Sequence, residues 1–299
     1  MAGDLPGTNV LGYDCPYIAL YPVDLIPLIM FDLASARFAF LDLETTGLSP
    51  WFGDRICEVG IVLTEGRRVK QQVQFLVNPE RPLSLGAAST NGLTDEELFT
   101  AQIFAEKAGE ILEWLRGTVV VCHNAQFDIQ FLDSEFRRLK REIVIPNLID
   151  TLILARQNYD LPSYSLLSIA EAFHIPVTRA HRALDDAHTA RSIFFAMMDG
   201  LKQYNKPLDE YIGIYNSPVW PNEGIQLPTE LGEAIYSQKR LFIRYVDTKG
   251  ELTERWITPK QVMGLSDYVY LKAHCHLRND ERNFRLDRIV EIRVEVESS

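Results

Sequence analysis

The chain has 299 residues, of which 46% are hydrophobic and 24% are charged. This is the composition of a globular protein with one or two domains, and it argues against long disorder, collagen-like repeats and low complexity. Four cysteines without a CxxC pair disfavour a disulfide framework and a thiolate zinc site, and they favour a reducing cytoplasm. The net charge of −11 disfavours a protein that coats nucleic acid through an overall basic surface. A polyanionic substrate is not excluded, because its binding depends on local charge.

Residues 1–36 are predicted to form an N-terminal arm. They contain no Lys or Arg, so they lack the basic opening of a secretory signal. Residues 17–31 are apolar but are interrupted by Pro22, Asp24 and Pro27, and the run is shorter than the roughly 20 residues of a membrane helix. We expect a packing arm there and no membrane segment elsewhere.

Residues 37–202 are predicted to form an α/β domain. A nearly continuous apolar run predicts a buried strand at residues 38–44. Two further strands are predicted at residues 56–64 and 69–77, on either side of a Glu-Gly-Arg-Arg turn, and a short β-branched strand is predicted at residues 119–122. Thr94 and Glu97 form a capping-box pattern that opens a helix ending near Gly117. Further helices are predicted at residues 126–141, 150–159, 166–173 and 185–201. A hairpin followed by alternating helices and strands indicates a mixed sheet covered by helices.

A proline-containing linker and a second, β-rich domain are predicted to follow. The linker spans residues 203–225, where Tyr215 and Trp220 indicate docking on a domain. Residues 226–299 form the tail domain, with a hairpin of strands at 241–246 and 253–257 and an alternating strand at 268–277. This domain holds 12 basic and 12 acidic residues, so the whole negative excess lies in the first 228 residues.

Asp42 and Glu44 stand two residues apart at the end of a predicted strand. Both side chains therefore project from one face of the sheet. Adjacent carboxylates near a buried sheet repel each other and lose hydration, and a bound Mg²⁺ or Mn²⁺ removes both problems. The plainer alternative is a pair of solvated acids at a strand end, since short motifs often occur without function.

Three more candidate residues lie on two later segments. Asp128 falls in the first turn of a helix that follows a buried strand, where an acid also favours the helix dipole. Asp186 begins a helix whose apolar residues face inward, which aims its carboxylate at the core. His181 stands five residues earlier, and a lone histidine there is more often a structural residue. Four inward acids and one histidine on three segments favour a shared site.

The segments FAFLDLETTGL, HNAQFD and HRALDDA resemble the three motifs of the DEDDh 3′–5′ exonuclease superfamily, in that family's order. They are similar in particular to proofreading epsilon subunits of bacterial DNA polymerase III. The resemblance covers about residues 37–200 and implies a ribonuclease H-like fold. The related DEDDy group has Tyr four residues before the last acid, where this chain has Arg182.

The resemblance also implies roles for named residues. Asp42, Glu44, Asp128 and Asp186 would hold two divalent ions, Mg²⁺ or Mn²⁺, and His181 would be the general base. The substrate would be a single-stranded 3′ end, with DNA favoured over RNA, and the products would be nucleoside 5′-monophosphates. Four further residues would contact the strand, namely Thr45, Leu48, Asn124 and Phe127.

The segment YVYLKAHCHLRNDERNFRLDRI resembles the WYL domain, a small Sm-like or SH3-like β-barrel. Val269 stands where that family usually has Trp. The resemblance implies a regulatory module that binds a nucleotide or oligonucleotide, and interleaved aromatic and basic residues are consistent with such contacts. The candidate contacts are Tyr270, Lys272, His274, Arg278, Arg282 and Arg285. The alternative is an ordinary solvated sheet face with cross-strand ion pairs.

The sequence is compatible with three functional hypotheses. The leading one is a metal-dependent 3′–5′ exonuclease, and the nearest rival is an RNA exonuclease, because no motif reads a 2′-hydroxyl. A third is a nucleic-acid-binding regulator that uses the exonuclease fold as a scaffold. Proofreading, repair, defence and turnover roles are all compatible with the motifs, and the oligomeric state is not predicted.

Overall fold

A computed structural model of the protein describes residues 33–50, 53–141, 143, 145–202, 213–215, 231–232, 234–235, 239–265 and 268–294. Most of the predicted arm at 1–36 and of the linker at 203–225, including Trp220, lies outside the described residues. No helix within the described ranges is long and apolar enough to cross a membrane.

The first domain is built on a mixed six-stranded sheet. Its strands are β1 (Arg37–Thr45), β2 (Ile56–Glu65), β3 (Arg68–Leu76), β4 (Val119–Cys122), β5 (Ile145–Asp150) and β6 (Gly213–Tyr215). They lie in the order β3-β2-β1-β4-β5-β6. The first three are antiparallel, β4 and β5 run parallel to β1, and β6 is antiparallel to β5. This confirms the predicted mixed sheet and makes β1 a central strand.

Helices cover both faces of this sheet. They are α1 (Leu85–Asn91), α2 (Asp95–Phe99), α3 (Phe104–Leu115), α4 (Ala125–Arg138), α5 (Thr151–Asn158), α6 (Leu166–Ala172) and α7 (Ala183–Gly200). The buried residues of α3 and α4 form one core with the sheet, and those of α5, α6 and α7 form a second core on the opposite face. Both faces of the central strands are therefore buried, which explains their nearly continuous apolar runs.

Three elements differ from the sequence-based expectation. The capping box at Thr94 is present, but the helix that it opens ends at Phe99, and α3 is separate. The chain breaks there because the Asn78 N–H donates to the Gln102 carbonyl at 2.9 Å, which ties the inter-helix segment to the loop after β3. Strand β5 was not predicted, since Pro146 interrupts its apolar pattern. Strand β6 lies within the predicted linker and pairs with β5, so the backbone at Tyr215 joins the sheet.

The tail domain is a five-stranded antiparallel sheet. Its strands are β7 (Leu241–Val246), β8 (Leu252–Leu265), β9 (Tyr268–Cys275), β10 (Asp280–Arg285) and β11 (Ile289–Val294), in the order β10-β9-β8-β7-β11. The predicted alternation along β9 is confirmed, because Leu271, Ala273 and Cys275 are buried in the domain core. The 3-10 turn at Leu286–Arg288 and strand β11 contact α1 of the first domain.

Candidate active site

Strand β1 carries Asp42 and Glu44 to the face of the sheet that α7 covers. Phe38 and Phe40 of the same strand pack against Phe194, with ring centroids 5.3 and 5.8 Å apart. Because side chains alternate along a strand, Asp42 and Glu44 continue this row toward the beginning of α7. The two-residue alternation that buries Phe38 and Phe40 in the core therefore also directs the carboxylates of Asp42 and Glu44 toward the beginning of α7.

Helix α7 brings Asp186 to the same place, and Gly60 makes the approach possible. Gly60 is the cross-strand neighbour of Asp42 on β2. A Cβ atom at Gly60 would lie 2.2 Å from the carbonyl carbon of Ala183, so the helix rests directly on the strand backbone. As a result, carboxylate oxygens of Asp42, Glu44 and Asp186 lie within 4.8 Å of one another.

Asp128 approaches from the first turn of α4. Its side chain is buried, and it accepts a hydrogen bond from the Leu43 N–H at 3.1 Å. It lines the same cleft as the other three acids, although it is not among the three whose oxygens lie within 4.8 Å. This hydrogen bond from the backbone of β1 to the side chain of Asp128 fixes the fourth carboxylate beside β1.

His181 lies on the turn that leads into α7. Its backbone has a left-handed φ of 61°, and its N–H donates to Asp186 Oδ2 at 2.9 Å. This bond links the histidine to the acid five residues later. The residue is exposed and lines the cleft, which has a volume of about 900 Å³. All five predicted catalytic and metal-binding residues therefore line one cleft.

A buried ion pair supports the turn that carries His181. Glu58 is fully buried on β2, directly opposite Glu44. Its carboxylate accepts hydrogen bonds from Arg182 Nε at 3.0 and 3.1 Å and from the Ala183 N–H at 3.1 Å. The guanidinium also offsets part of the negative charge around the three clustered acids, because it lowers the pKa of Glu44.

The clustered acids hold their protons more tightly than isolated carboxyls do. Burial, followed by the charges of Asp128, Asp186 and Glu44, raises the pKa of Asp42 well above its ordinary value. Burial, followed by the charge of Asp186, does the same for the pKa of Glu44, and burial raises the pKa of Asp186 to about 7. A cleft of this kind favours either protons or cations.

Comparison with known proteins decides the family. Residues 39–194, more than half of the chain, match the exonuclease family RNase_T. DNA polymerase III subunit epsilon of Rickettsia prowazekii is 33% identical over 186 residues, which cover 58% of this chain and 81% of that protein. The chain belongs to the exonuclease family.

Two further comparisons define how far the likeness extends. The PolC-type DNA polymerase III of Caldanaerobacter subterraneus is 34% identical over 169 residues, which cover 56% of this chain and only 12% of that protein. A zinc-bound complex of E. coli exonuclease I with single-stranded DNA has a similar fold, with a TM-score of 0.51 and 18% identity, over 80% of this chain and 54% of that chain. These relations confirm the predicted ribonuclease H-like exonuclease fold.

Residues 226–294 match the WYL domain, as predicted. Most of its candidate ligand contacts engage neighbours within the domain: Lys272 pairs with Glu281 at 3.0 Å, Arg282 pairs with Asp280 at 3.0 Å, and the ring of His274 lies 5.0 Å from that of His276. Tyr270 is half-buried on β9, and Arg278 is exposed after that strand. Of the six candidates, Arg285 alone is among the residues that line the exonuclease cleft.

The predicted strand contacts of the exonuclease domain line this cleft as well. Thr45 donates a hydrogen bond to the Gly47 carbonyl at 2.6 Å and fixes the turn after β1. Asn124 precedes α4 in a left-handed conformation, and the ring of Phe127 lies 4.9 Å from that of Phe131. Leu48 is half-buried and also lines the cleft. The structure thus gathers these four residues around the carboxylates.

The carboxylates fit divalent metal ions. Asp186 Oδ1 is buried, and no hydrogen-bond partner for it exists among the described residues. The donors are oxygens only, which suits hard cations such as Mg²⁺ and Mn²⁺. Bound cations would provide the missing partner and compensate the repulsion that raises the carboxyl pKa values.

The sequence-based interpretation missed three supporting residues. Asp150 accepts hydrogen bonds from the N–H groups of Asn124 at 3.0 Å and Ala125 at 2.9 Å, and so holds the start of α4. From the sequence, Glu58 is either a possible supporting partner of the site or a plain strand-end acid, so it is not assigned a role there, and Gly60 is not predicted to matter. The sequence does contain a signal for two of these residues: Glu58 and Gly60 interrupt the apolar run of β2. Both residue types are unfavourable in a buried strand unless a packing or hydrogen-bonding partner requires them.

Proposed function

We propose that this protein is a metal-dependent 3′–5′ exonuclease that releases nucleoside 5′-monophosphates from single-stranded ends, with DNA favoured over RNA. The observation that carries the proposal is the cluster of Asp42, Glu44 and Asp186 with the unpartnered Asp186 Oδ1, beside His181. The clustered carboxylates favour hard divalent cations, and cations bound there would in turn attract an anionic phosphodiester.

Each residue has a defined task in this reaction. Asp42, Glu44 and Asp186, with Asp128 behind them, would hold two divalent ions. When bound, such ions neutralise charge on the phosphate and stabilise the leaving oxyanion. An imidazole nitrogen of His181 accepts the proton of the attacking water, while the Asp186 carboxylate keeps the histidine backbone in place.

The choice of substrate rests on the cleft and on the relatives. Thr45 and Leu48 lie where the terminal nucleotide would meet the acids, and Phe127 offers a ring edge for an unpaired base. The two relatives described above carry the names of a DNA polymerase III and of a DNA polymerase III subunit, which favours DNA. The tail domain would act as a nucleotide- or nucleic-acid-binding regulatory module of the same protein.

A cytoplasmic location is part of the proposal. Cys57, Cys122 and Cys275 are buried free thiols, as expected in a reducing compartment. Cys15 lies outside the described residues.

A degradation assay tests the activity. Full-length protein would be incubated with 5′-labelled single-stranded DNA, duplex DNA or single-stranded RNA and with Mg²⁺, Mn²⁺ or a chelator. We expect a ladder that shortens from the 3′ end, fastest on single-stranded DNA, and no products with the chelator or with Asp42→Asn. Faster loss of RNA would support the RNA exonuclease. Binding without any hydrolysis by the unsubstituted protein would support a scaffold instead.

A further inference from the structure

The tail domain lies against the exonuclease cleft and contributes to its wall. Its 3-10 turn and strand β11 contact α1, and the fit depends on Gly86 of that helix. A Cβ atom at Gly86 would lie 2.5 Å from the carbonyl oxygen of Ile289. Leu286, Asp287 and Ile289 consequently line the same cavity as the catalytic acids.

Leu48 connects the two domains at the cleft. This residue follows the turn after β1, packs against the hydrophobic core of the tail domain, and also lines the cavity. The surface offered to a terminal nucleotide is therefore supported from behind by the second domain. Displacement of that domain would remove this support as well as part of the wall.

The rim of the cleft has one arginine–aspartate pair from each domain. Arg81 Nη1 lies 3.0 Å from Asp54 Oδ1, and Arg285 Nη2 lies 2.5 Å from Asp287 Oδ2. Both pairs line the same cavity, where burial raises the pKa of Asp54 and the charge of Asp287 adds to that rise. Both arginines and both aspartates line the cavity, so the rim carries paired charges of both signs while the floor is acidic.

We propose that the tail domain forms one wall of the substrate channel, where Arg285 binds a backbone phosphate of the single strand upstream of its 3′ end. This inference rests on the proposed exonuclease function and extends it to a substrate contact from the second domain. A guanidinium has five donors, and phosphates accept from such forks in the same way as Asp287 does.

The degree of exposure separates Arg285 from Arg282 and Arg293 of the tail domain. Its side chain is 19% exposed, against 47% for Arg282 and 68% for Arg293. A phosphate contact inside a cleft is screened less by salt than one on an open face. Arg282 instead belongs to the β9–β10 face, which would be the binding surface if the tail domain had an independent nucleic-acid site.

Binding of a labelled strand tests the proposal. In full-length protein with Asp42→Asn, which prevents degradation, fluorescence anisotropy would follow a 5′-labelled oligothymidylate across a KCl series. We expect Arg285→Ala to weaken binding several-fold and to reduce the salt slope by about 0.7, the value for one phosphate contact on a single strand. Arg293→Ala is the matched control, since Arg293 also pairs with an acid two residues away and does not line the cavity.

Hydrolysis kinetics separate this proposal from the proposed function. With the catalytic site intact, Arg285→Ala should lower kcat/KM for the oligonucleotide several-fold more than kcat/KM for the p-nitrophenyl ester of thymidine 5′-monophosphate, because the ester has no upstream phosphate. Gly86→Ala should impair the oligonucleotide reaction similarly, because it displaces the wall. If the unsubstituted protein hydrolysed neither the ester nor the oligonucleotide, the exonuclease function would be refuted, and the binding comparison would still test whether the tail domain forms a wall of the channel.

Two results would overturn the wall proposal. The first is equal binding by the Arg285→Ala and Arg293→Ala proteins. The second is a loss with Arg282→Ala but not with Arg285→Ala, which would place the strand on the β9–β10 face. An equal loss of ester and oligonucleotide hydrolysis in Arg285→Ala would also count against it, because it would indicate a disturbed active site.

Discussion

Gly60→Ala is expected to damage the active site although residue 60 carries no functional group. The added Cβ would lie 2.2 Å from Ala183 C, 2.3 Å from Leu184 N and 2.4 Å from Ala183 O. Non-bonded carbon atoms prefer separations of about 3.5–4.0 Å, so the beginning of α7 has to move by roughly 1.3 Å. All three obstacles are backbone atoms, and no side-chain rotation can relieve the contact.

This displacement has two consequences of calculable size. Asp186 and the turn with His181 move with α7, and a misplacement of about 1 Å can lower a rate by about 100-fold. Forcing a methyl group into a packed interior also costs about 1–3 kcal/mol of folding free energy. For a domain of this size, each 1 kcal/mol lowers Tm by about 2–4 °C.

The assay measures both effects in one preparation. We expect kcat for ester and oligonucleotide hydrolysis to fall about 100-fold, together with weaker activation by Mn²⁺ and a lower Tm. Gly109→Ala is the control, because nothing lies within 4 Å of a Cβ atom on this exposed residue of α3, and it should keep its activity and gain about 0.5–1 kcal/mol. If Gly60→Ala retained full activity and gained stability like the control, the close approach of α7 to β2 would be refuted.

Three further predictions concern the same cleft. Folding raises the Asp186 pKa from 3.8 to about 7, so in the absence of metal this residue costs stability increasingly as pH rises from 4 toward 7. Asp186→Asn should therefore stabilise the chelator-treated protein by up to about 4 kcal/mol at pH 8 and change little at pH 4 in urea titrations; equal effects at both pH values would contradict this. Mn²⁺ should raise Tm of the unsubstituted protein more at pH 8 than at pH 5, because protons compete with the ion for the carboxylates. The rise in Tm should be smaller in the Asp186→Asn protein. Arg182→Met should cost about 3–5 kcal/mol by leaving Glu58 buried and unpaired, and adding Glu58→Gln should restore much of it; no recovery would argue against the pair.

Much of the exonuclease domain could be predicted from local sequence. The strands β1, β2 and β4 are short, largely apolar runs, β3 follows β2 across a predicted turn, and the period of two along β1 already placed Asp42 and Glu44 on one face. The division between α2 and α3 could not be predicted, because it depends on a hydrogen bond from Asn78 to a residue 24 positions later in the chain. Strand β5 was missed because its pairing with β4, rather than its own composition, makes it a strand.

The sequence by itself determined the chemical inventory of this protein: four acids and a histidine in three motifs, a neutral tail domain with clustered arginines, and a negative charge of −11 confined to the first 228 residues. Only the tertiary structure decided which groups meet. Gly60 admits α7 to the sheet and assembles the acids, and Gly86 admits the tail domain to the cleft, where Arg285 faces it. The physical reason is that two distant segments can approach closely only where a residue lacks a side chain. The sequence shows where such glycines stand, but only the folded chain shows which segment packs against each of them.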